Sequence, residues 1–295
     1  MKLLLNLDFD IPIWRLFYDP NLVNKIPNKF NYKNKEYTNG ITIINFAHYI
    51  DENLFIFNPS YCDNLRCPNP IFCVPNQDIY NLFKKYRPQY KVVLAGHNAF
   101  INENIYNINN KKKIYDMIIN SSFTKLKNLQ LTKLIKNKIY IGYKCGSLEE
   151  FNECLPNDGY IPNFEDRERN LDNWKWVGEH DVINFYNESY VGGIFSNAEG
   201  SCYSSSEYLL CGLPVISTKC MGGREYWYTK ENSIICNNDP VEIQNALNLA
   251  KQKLENGEFD PINIRKKHID MQNELRKNLT NEVIDIFKKI NEINK

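Results

Sequence analysis

The sequence predicts an α/β protein built on two doubly wound parallel sheets. Short apolar runs of strand length alternate with amphipathic stretches of helical period, which is the pattern of parallel sheets joined by crossover helices. The alternation starts again after Lys138, and 295 residues are enough for two domains that each have a core. We therefore predict an N-terminal domain over residues 1–137 and a C-terminal domain over residues 138–274.

In the N-terminal half, the apolar runs predict strands and the amphipathic stretches predict helices. The predicted strands are residues 2–6, 41–46, 54–57, 90–94 and 116–119, and the predicted helices are residues 78–86 and 124–135. The apolar start of the chain is similar to a leader peptide, but Asp8 and Asp10 interrupt it too early. We interpret it as the first strand.

The same pattern continues in the C-terminal half. The predicted strands are residues 138–142, 174–177, 192–195, 214–217 and 233–236, and a helix is predicted over residues 147–154. From Pro261 onward the chain is mostly helical, with one apolar stripe at three- and four-residue intervals: Leu279, Val283, Phe287, Ile290 and Ile293. Such a stripe packs against the protein core or lies on a membrane surface, and we favour packing.

Composition narrows the class of protein. Hydrophobic residues make up 43% and charged residues 24% of the chain, and no apolar stretch is long enough to span a bilayer. The 36 basic and 35 acidic side chains leave a net charge of +1, so we expect no overall attraction to nucleic acid. The nine cysteines show no zinc-ligand spacing. We therefore expect free thiols, no metal site and a cytoplasmic location.

The segment from Ser196 to Ile216 is the most informative for function. The apolar run 192–195 precedes Glu199 and Gly200, so both residues follow the carboxyl end of a parallel strand, where open α/β sheets bind ligands. A helix that begins near residues 201–204 presents unpaired backbone N–H groups and a positive dipole end to an anion such as phosphate. The candidate phosphate ligands are Gly200, Ser201, Cys202, Tyr203 and Ser204.

Glu207 lies one to two helical turns further along. Its carboxylate can accept hydrogen bonds from vicinal hydroxyls, and a phosphate site beside a hydroxyl site predicts a nucleotide sugar. The same residues also have a purely structural interpretation. Ser204 and Glu207 match a capping box, in which the glutamate only binds backbone donors, and Gly212 followed by Pro214 is an ordinary helix end. The two glutamates alone leave both interpretations open.

The wider segment resembles a known family. Ser196-x-x-Glu199-Gly200, Glu207 and the run Cys211–Ile216 are similar to the E-x7-E segment of retaining GT-B glycosyltransferases of family 4, and the similarity extends over about residues 192–250. The resemblance implies two Rossmann-like domains with a cleft between them, the donor site in the second domain, and a terminal helix over residues 275–295 that packs back on the first. It also implies that Glu199 lies near the sugar hydroxyls and Glu207 on the ribose hydroxyls.

A leaving nucleoside diphosphate needs positive charge, because negative charge grows on its β-phosphate as the sugar bond breaks. In the resembling family a basic pair lies in the first loop of the C-terminal domain, which makes Lys144 a candidate. Arg167, Arg169 and Arg224 are others, and Arg224 follows two glycines that let a ligand come near. In this scheme no metal or other cofactor is required, and the nucleotide sugar is a co-substrate.

Features of the N-terminal half bear on the acceptor side. His97 follows the predicted strand 90–94, where such enzymes hold a histidine that faces the cleft, and it is the second candidate catalytic residue beside Glu199. Asp8-Phe9-Asp10 matches the D-x-D metal motif of the other glycosyltransferase fold, but only one strand precedes it. The glycine loop that many family members have after the first strand is absent, which leaves the acceptor side open.

The sequence therefore predicts a glycosyltransferase that moves a sugar from a UDP- or GDP-sugar to a hydroxyl of a glycan, lipid or protein, with retention implied by the resemblance alone. An epimerase or hydrolase of nucleotide sugars on the same fold is one alternative. A non-catalytic sugar-binding module without an acceptor half is another. We expect no transmembrane segment, while a peripheral membrane contact stays open.

Overall fold

The computed structural model describes residues 13–17, 30–32, 35–37, 40–46, 67, 69–143, 145–164 and 168–293. Two predicted strands, 2–6 and 54–57, and the Asp8-Phe9-Asp10 motif lie outside these residues. In chain order the regular elements are β1 (Ile13–Phe17), β2 (Phe30–Tyr32), β3 (Lys35–Tyr37), β4 (Ile41–Asn45), β5 (Pro70–Val74), α1 (Gln77–Tyr86), β6 (Lys91–Leu94), β7 (Tyr115–Ser122), β8 (Lys138–Tyr143), α2 (Leu148–Cys154), α3 (Glu179–Asn187), β9 (Ser189–Ile194), β10 (Ala198–Glu199), α4 (Tyr203–Leu210), β11 (Val215–Thr218), β12 (Met221–Gly222), β13 (Ser233–Cys236), α5 (Pro240–Glu255) and α6 (Pro261–Ile293).

Two parallel sheets organise the described residues, which confirms the predicted α/β class. The first sheet has the strand order β1-β4-β5-β6, and the second has the order β13-β11-β9-β7-β8. Every pair of neighbouring strands within these two sheets is parallel. Each sheet presents the carboxyl ends of its strands at one edge, where ligands of open α/β sheets bind.

The strands β4 and β5 of the first sheet are buried on both faces. On β4 and β5, alternate side chains belong to different clusters, because successive residues of a strand point to opposite faces. Ile43 and Ile71 join the large core that continues into the second sheet. Ile44 and Phe72 pack with Phe83 of α1 in a separate cluster. The near-continuous apolar character of these strands therefore reflects burial on two sides.

The strand β7 belongs to the second sheet. It pairs with β8 from Met117 to Ser122 and with β9 from Tyr115 to Ile118, so it lies between these two strands, next to the edge of that sheet. The repeat of the strand pattern after Lys138 predicts that residues up to 137, and β7 with them, belong to the N-terminal domain. Strand pairing instead makes β7 the first strand of the second sheet. The loop after β7 is then the first loop at the edge where that sheet can bind a ligand.

The structure corrects three local predictions. Residues 124–135, predicted as one helix, form two short 3-10 turns that are separated by Asn128 in a left-handed conformation with φ of 50°. Asn128 Nδ2 donates to the Phe195 carbonyl at 2.9 Å, so a tertiary contact stabilises the break. Residues 174–177 form no strand, and β5 was not predicted because Pro70 begins it within a stretch rich in turn residues.

The long helix α6 connects the two sheets. It contacts β4 and β6 of the first sheet as well as α4 beside the second sheet. Leu279, Val283 and Ile290 of the predicted stripe are buried in the large core. In the part of the chain that the structure describes, no helix combines the length and the apolar character needed to cross a membrane.

Candidate active site

A cavity of about 320 Å³ opens at the carboxyl ends of β7, β8 and β9. Both glutamates of the E-x7-E segment line it, together with residues 201–204 at the amino end of α4. The cavity therefore occupies the edge of the second sheet at which parallel α/β sheets bind ligands. This is the candidate active site.

Glu199 lies on β10, which pairs with β12. Its Oε1 accepts a 2.8 Å hydrogen bond from the Ser196 hydroxyl and an ion-paired hydrogen bond from Lys127. The Glu199 side chain is only 14% exposed, so the carboxylate lies at the cavity wall and not in bulk water. Gly222 permits this arrangement, because its φ is +126° and a Cβ there would lie 1.7 Å from the Glu199 carbonyl oxygen.

Glu207 lies in α4 and is held by hydroxyl groups. Its Oε2 accepts a 2.5 Å hydrogen bond from the Tyr186 hydroxyl, whose oxygen accepts one from Asn120 Nδ2. Tyr106 also donates to the Glu207 carboxylate. Burial raises the pKa of Glu207, and the hydrogen bonds from the two tyrosines oppose that rise. The tyrosines thus fix the orientation of this carboxylate within the cavity wall.

The amino end of α4 is arranged for a ligand. The helix begins at Tyr203 with Cys202 as its N-cap, so Ser204 is inside the helix, and its hydroxyl donates to the Asn120 carbonyl at 2.7 Å. The capping-box interpretation is therefore wrong, since Ser204 is not the cap and Glu207 binds tyrosines. No acidic side chain occupies the first turn. The backbone N–H groups there favour an anion.

The thiol of Cys202 takes no part in the chemistry that we infer. Burial raises the pKa of this thiol to about 12, so it is protonated at neutral pH. Cys202 therefore presents no thiolate to the cavity. Gly200 is buried beside it, and Ser201 lines the cavity.

His97 belongs to the short 3-10 turn after β6. Its ring packs edge-on against Tyr203, with 4.6 Å between the ring centroids, and Tyr203 lines the cavity. The neighbouring Asn98 donates from Nδ2 to the Cys202 carbonyl at 2.8 Å and to the Ser206 hydroxyl at 2.9 Å. The first sheet thus touches the amino end of α4, and His97 lies behind Tyr203, outside the residues that line the cavity.

Lys127 is the basic side chain in the cavity wall of the described residues. It belongs to the 3-10 turn after β7, which is the first strand of the second sheet in chain order. Burial is the largest single influence and lowers the pKa of Lys127, but the acidic groups around it, Glu199 foremost, together raise that pKa above its ordinary value. Lys144 lies outside the described residues.

The candidate arginines have other positions. Arg224 is fully buried, and it donates to the Ser196 hydroxyl and to the Thr218 carbonyl, both at 2.7 Å. Arg224 is not among the residues that line the cavity, and its assignment as a diphosphate ligand stays a prediction. Arg169 donates to the carbonyls of Pro156 and Gly159 in a loop away from the cavity. Arg167 lies outside the described residues.

Sequence reasoning missed Lys127, Tyr106 and Tyr186. Each comes from a different segment and has no motif around it, so only tertiary structure brings them to the glutamates. One signal could have pointed to Lys127. The family resemblance implies basic residues in the first loop of the C-terminal domain, and Lys127 lies in that loop if residues 116–119 form the first strand of the second sheet.

Comparison with solved structures identifies the fold. Sucrose-phosphate synthase from Thermosynechococcus elongatus matches 96% of this chain and 74% of its own, with a TM-score of 0.59 and 12% identity. Anabaena HepE, solved in complex with UDP-glucose, matches 85% of this chain and 72% of its own, with a TM-score of 0.57 and 11% identity. A glycosyltransferase from Rickettsia africae ESF-5 matches 85% of this chain and 71% of its own, with a TM-score of 0.58 and 12% identity. The chain therefore has the predicted GT-B fold.

Sequence comparison adds no family assignment. No protein-family model matches the chain, and no curated protein matches it.

Proposed function

We propose that this chain is a glycosyltransferase that binds a nucleotide-sugar donor in the cavity of the second sheet. The observation that supports this most directly is that Glu199, Glu207 and the amino end of α4 border one cavity of about 320 Å³. Carboxylates that accept hydrogen bonds suit the hydroxyls of a sugar and a ribose, and a helix amino end suits a diphosphate. Anabaena HepE was solved with UDP-glucose and with UDP, which supports uridine donors as the first choice.

The diphosphate in this proposal lies against the backbone of residues 200–204. Lys127 supplies the positive charge that the leaving diphosphate needs as the bond to the sugar breaks. Glu199 accepts hydrogen bonds from the sugar hydroxyls, and Glu207 accepts them from the ribose. His97 packs against Tyr203 and so helps to hold that side chain at the amino end of α4. No metal is needed in this scheme.

Two aromatic rings suit the base of the nucleotide. Trp176 and Tyr143 line the cavity and are 73% and 38% exposed. An exposed aromatic face at a cavity mouth stacks on a nucleobase, because every base has a π-face. We assign the base to these rings, the ribose to Glu207 and the sugar to Glu199.

The donor half in this proposal begins with β7, and the acceptor hydroxyl enters between the two sheets. Retention of configuration follows from the family resemblance and is part of the proposal. Proton NMR of the product anomeric centre tests it, and an inverted anomer contradicts it.

Donor binding can be tested with UDP-, GDP- and ADP-sugars by thermal shift and by product detection with and without acceptors. We expect one nucleotide class to raise the melting temperature. Glu199→Ala and Glu207→Ala should each weaken donor binding about tenfold or more, since each removes charged hydrogen bonds. Glu255→Ala, at an exposed position near the end of α5, is the matched control.

The outcomes separate the alternatives. Sugar transfer that requires an acceptor supports the proposal, while sugar release or epimerisation without one indicates a hydrolase or an epimerase. Binding without turnover indicates a sugar-binding module. Wild-type donor affinity and rate in both glutamate variants would contradict the site assignment.

A further inference from the structure

Arg224 is a buried cation without an acidic partner at ion-pair distance among the described residues. The side chain is fully buried, and its two hydrogen-bond acceptors, the Ser196 hydroxyl and the Thr218 carbonyl, are neutral. Its Nε has no hydrogen-bond partner in this part of the chain. A buried guanidinium without a carboxylate partner is costly to fold around. Ordinary packing therefore does not account for an arginine at this position.

The contact with Ser196 has only one possible direction. A guanidinium can donate hydrogen bonds but cannot accept them, so the Ser196 oxygen accepts from Arg224. Ser196 is itself fully buried, and its single proton points to Glu199 Oε1 at 2.8 Å. The hydrogen bonds thus run from Arg224 through Ser196 to Glu199.

This chain of hydrogen bonds from Arg224 through Ser196 to Glu199, here called the relay, leaves one Glu199 carboxylate oxygen for a ligand. Glu199 Oε1 accepts from both Ser196 and Lys127. Within the described residues, Oε2 has no hydrogen bond, and the carboxylate borders the cavity. An ionised carboxylate oxygen accepts hydrogen bonds and cannot donate them, so it suits a ligand that offers hydroxyl protons.

We infer that Arg224 is a positioning residue, which acts through Ser196 to hold the Glu199 carboxylate with Oε1 occupied and Oε2 directed at a hydroxyl of the donor sugar. This inference rests on the proposed function, and it adds that recognition of the sugar depends on a buried arginine that does not touch the ligand. The diphosphate and the base are bound by other residues. Loss of the relay should therefore affect the sugar part of the donor selectively.

The test compares a nucleotide sugar with its nucleoside diphosphate by calorimetry on the full chain. The probes are UDP-glucose and UDP, with the GDP and ADP pairs as replacements where wild type binds one of those instead. Ser196→Ala should raise the Kd of the nucleotide sugar about tenfold and change that of the diphosphate less than about twofold. Ser189→Ala is the control, because Ser189 is equally buried but bonds to Phe185 at the far end of β9.

A double-mutant cycle separates positioning from packing. In a Glu199→Ala background, Ser196→Ala should add less than about twofold, because the group that it positions is gone. Arg224→Met should reproduce the selective loss, and Arg224→Lys should retain part of the sugar affinity. If Arg224→Met does not fold, the serine cycle decides the question by itself.

Two results overturn the relay while the proposed function stands. One is an equal loss of affinity for the diphosphate and the nucleotide sugar in Ser196→Ala. The other is a loss that persists undiminished in the Glu199→Ala background. A wild-type chain that binds none of the three pairs overturns the proposed function itself, and the inference falls with it.

Discussion

Lys127 and Glu199 neutralise each other in the wall of the cavity. Their side chains are 15% and 14% exposed, so water screens the pair only weakly. In the proposed function, donor binding places a diphosphate and a sugar beside the same two groups. When a ligand binds there, Lys127 can interact with the diphosphate and Glu199 with the sugar, and the ion pair between the two side chains weakens in return.

Lys127→Met should weaken nucleotide binding by about tenfold or more, because it removes the basic side chain of the cavity wall. Lys125→Met is the matched control from the same 3-10 turn. Lys125 is 73% exposed and pairs with Glu153 at the surface, so its loss should leave the Kd unchanged. Titration of UDP or the matching diphosphate measures both, and equal effects of the two variants would contradict the role of Lys127.

Glu207→Gln should raise the melting temperature at neutral pH and weaken nucleotide-sugar binding. Burial raises the folded-state pKa of Glu207, so ionisation of this group destabilises the fold. The penalty is absent below the unfolded-state pKa, grows as the pH rises towards the folded-state pKa, and is complete above it. Thermal melts of both proteins from about pH 4 to pH 8 should diverge as the pH rises.

The exposed Glu255→Gln is the control for this pH series. Its melting temperature should follow that of wild type at every pH, because its carboxylate is solvated. A Glu207→Gln protein that is less stable than wild type at neutral pH would show that the tyrosine hydrogen bonds outweigh burial.

The short strands β10 and β12 control the position of Glu199. Their backbones approach so closely that only a glycine fits at position 222. Arg224 follows two residues later and lies beneath Ser196. A two-residue pairing that contributes little to the core thus determines the geometry of the cavity wall.

Gly222→Ala should destabilise the protein more than Gly257→Ala does. Both glycines have positive φ, so alanine is strained at each, by about 1–2 kcal/mol at a left-handed position such as Gly257. A Cβ at Gly257 has no heavy atom within 4 Å, whereas one at Gly222 would overlap the Glu199 carbonyl. Urea unfolding should show the larger loss for Gly222→Ala, and only this variant should lose donor binding. Equal losses would mean that backbone strain, and not the close approach, requires glycine.

Helix α6 fixes the segment that connects the two sheets, between β6 and β7, through hydrogen bonds from two arginines. Arg276 is buried and donates to the Ala99 carbonyl at 2.6 Å and to both Glu103 carboxylate oxygens at 2.9 and 2.8 Å. Arg265 donates to the Tyr106 carbonyl, and Tyr106 binds Glu207. The segment between β6 and β7 therefore contributes to the cavity from a position that α6 fixes.

Arg276→Met should lower the free energy of unfolding by about 3–5 kcal/mol, because it leaves Glu103 and the Ala99 carbonyl without this partner. Hydrogen bonding to Arg276 lowers the pKa of Glu103, so this contribution is present above the unfolded-state pKa and is lost as the pH falls through the folded-state pKa. Urea unfolding at neutral and acidic pH measures it. Lys277→Met, at the exposed neighbouring position, should change little, and a pH-independent difference for Arg276→Met would contradict the ionic contribution.

The sequence alone predicted the α/β class and about half of the described strands. Apolar periodicity is local, and it identified β4, β6, β8, β9, β11 and β13 within three residues of their observed limits. It also placed Glu199 and Gly200 after the strand β9, since that follows from chain order alone. The GT-B fold was predicted from the resemblance of residues 192–250, and the solved structures confirm it.

Only tertiary structure decided which side chains surround the two glutamates. Lys127 lies 72 positions from Glu199 in the chain, and Arg224 lies 28 positions from Ser196, so no local pattern links them. The sheet to which β7 belongs was equally hidden, because apolar periodicity reports that a strand is buried and not which strand it pairs with. The sequence therefore determined the positions of the two glutamates in the chain and the strand end that they follow. Most of the side chains that hydrogen-bond to them come from distant parts of the chain, so those partners depend on the tertiary structure.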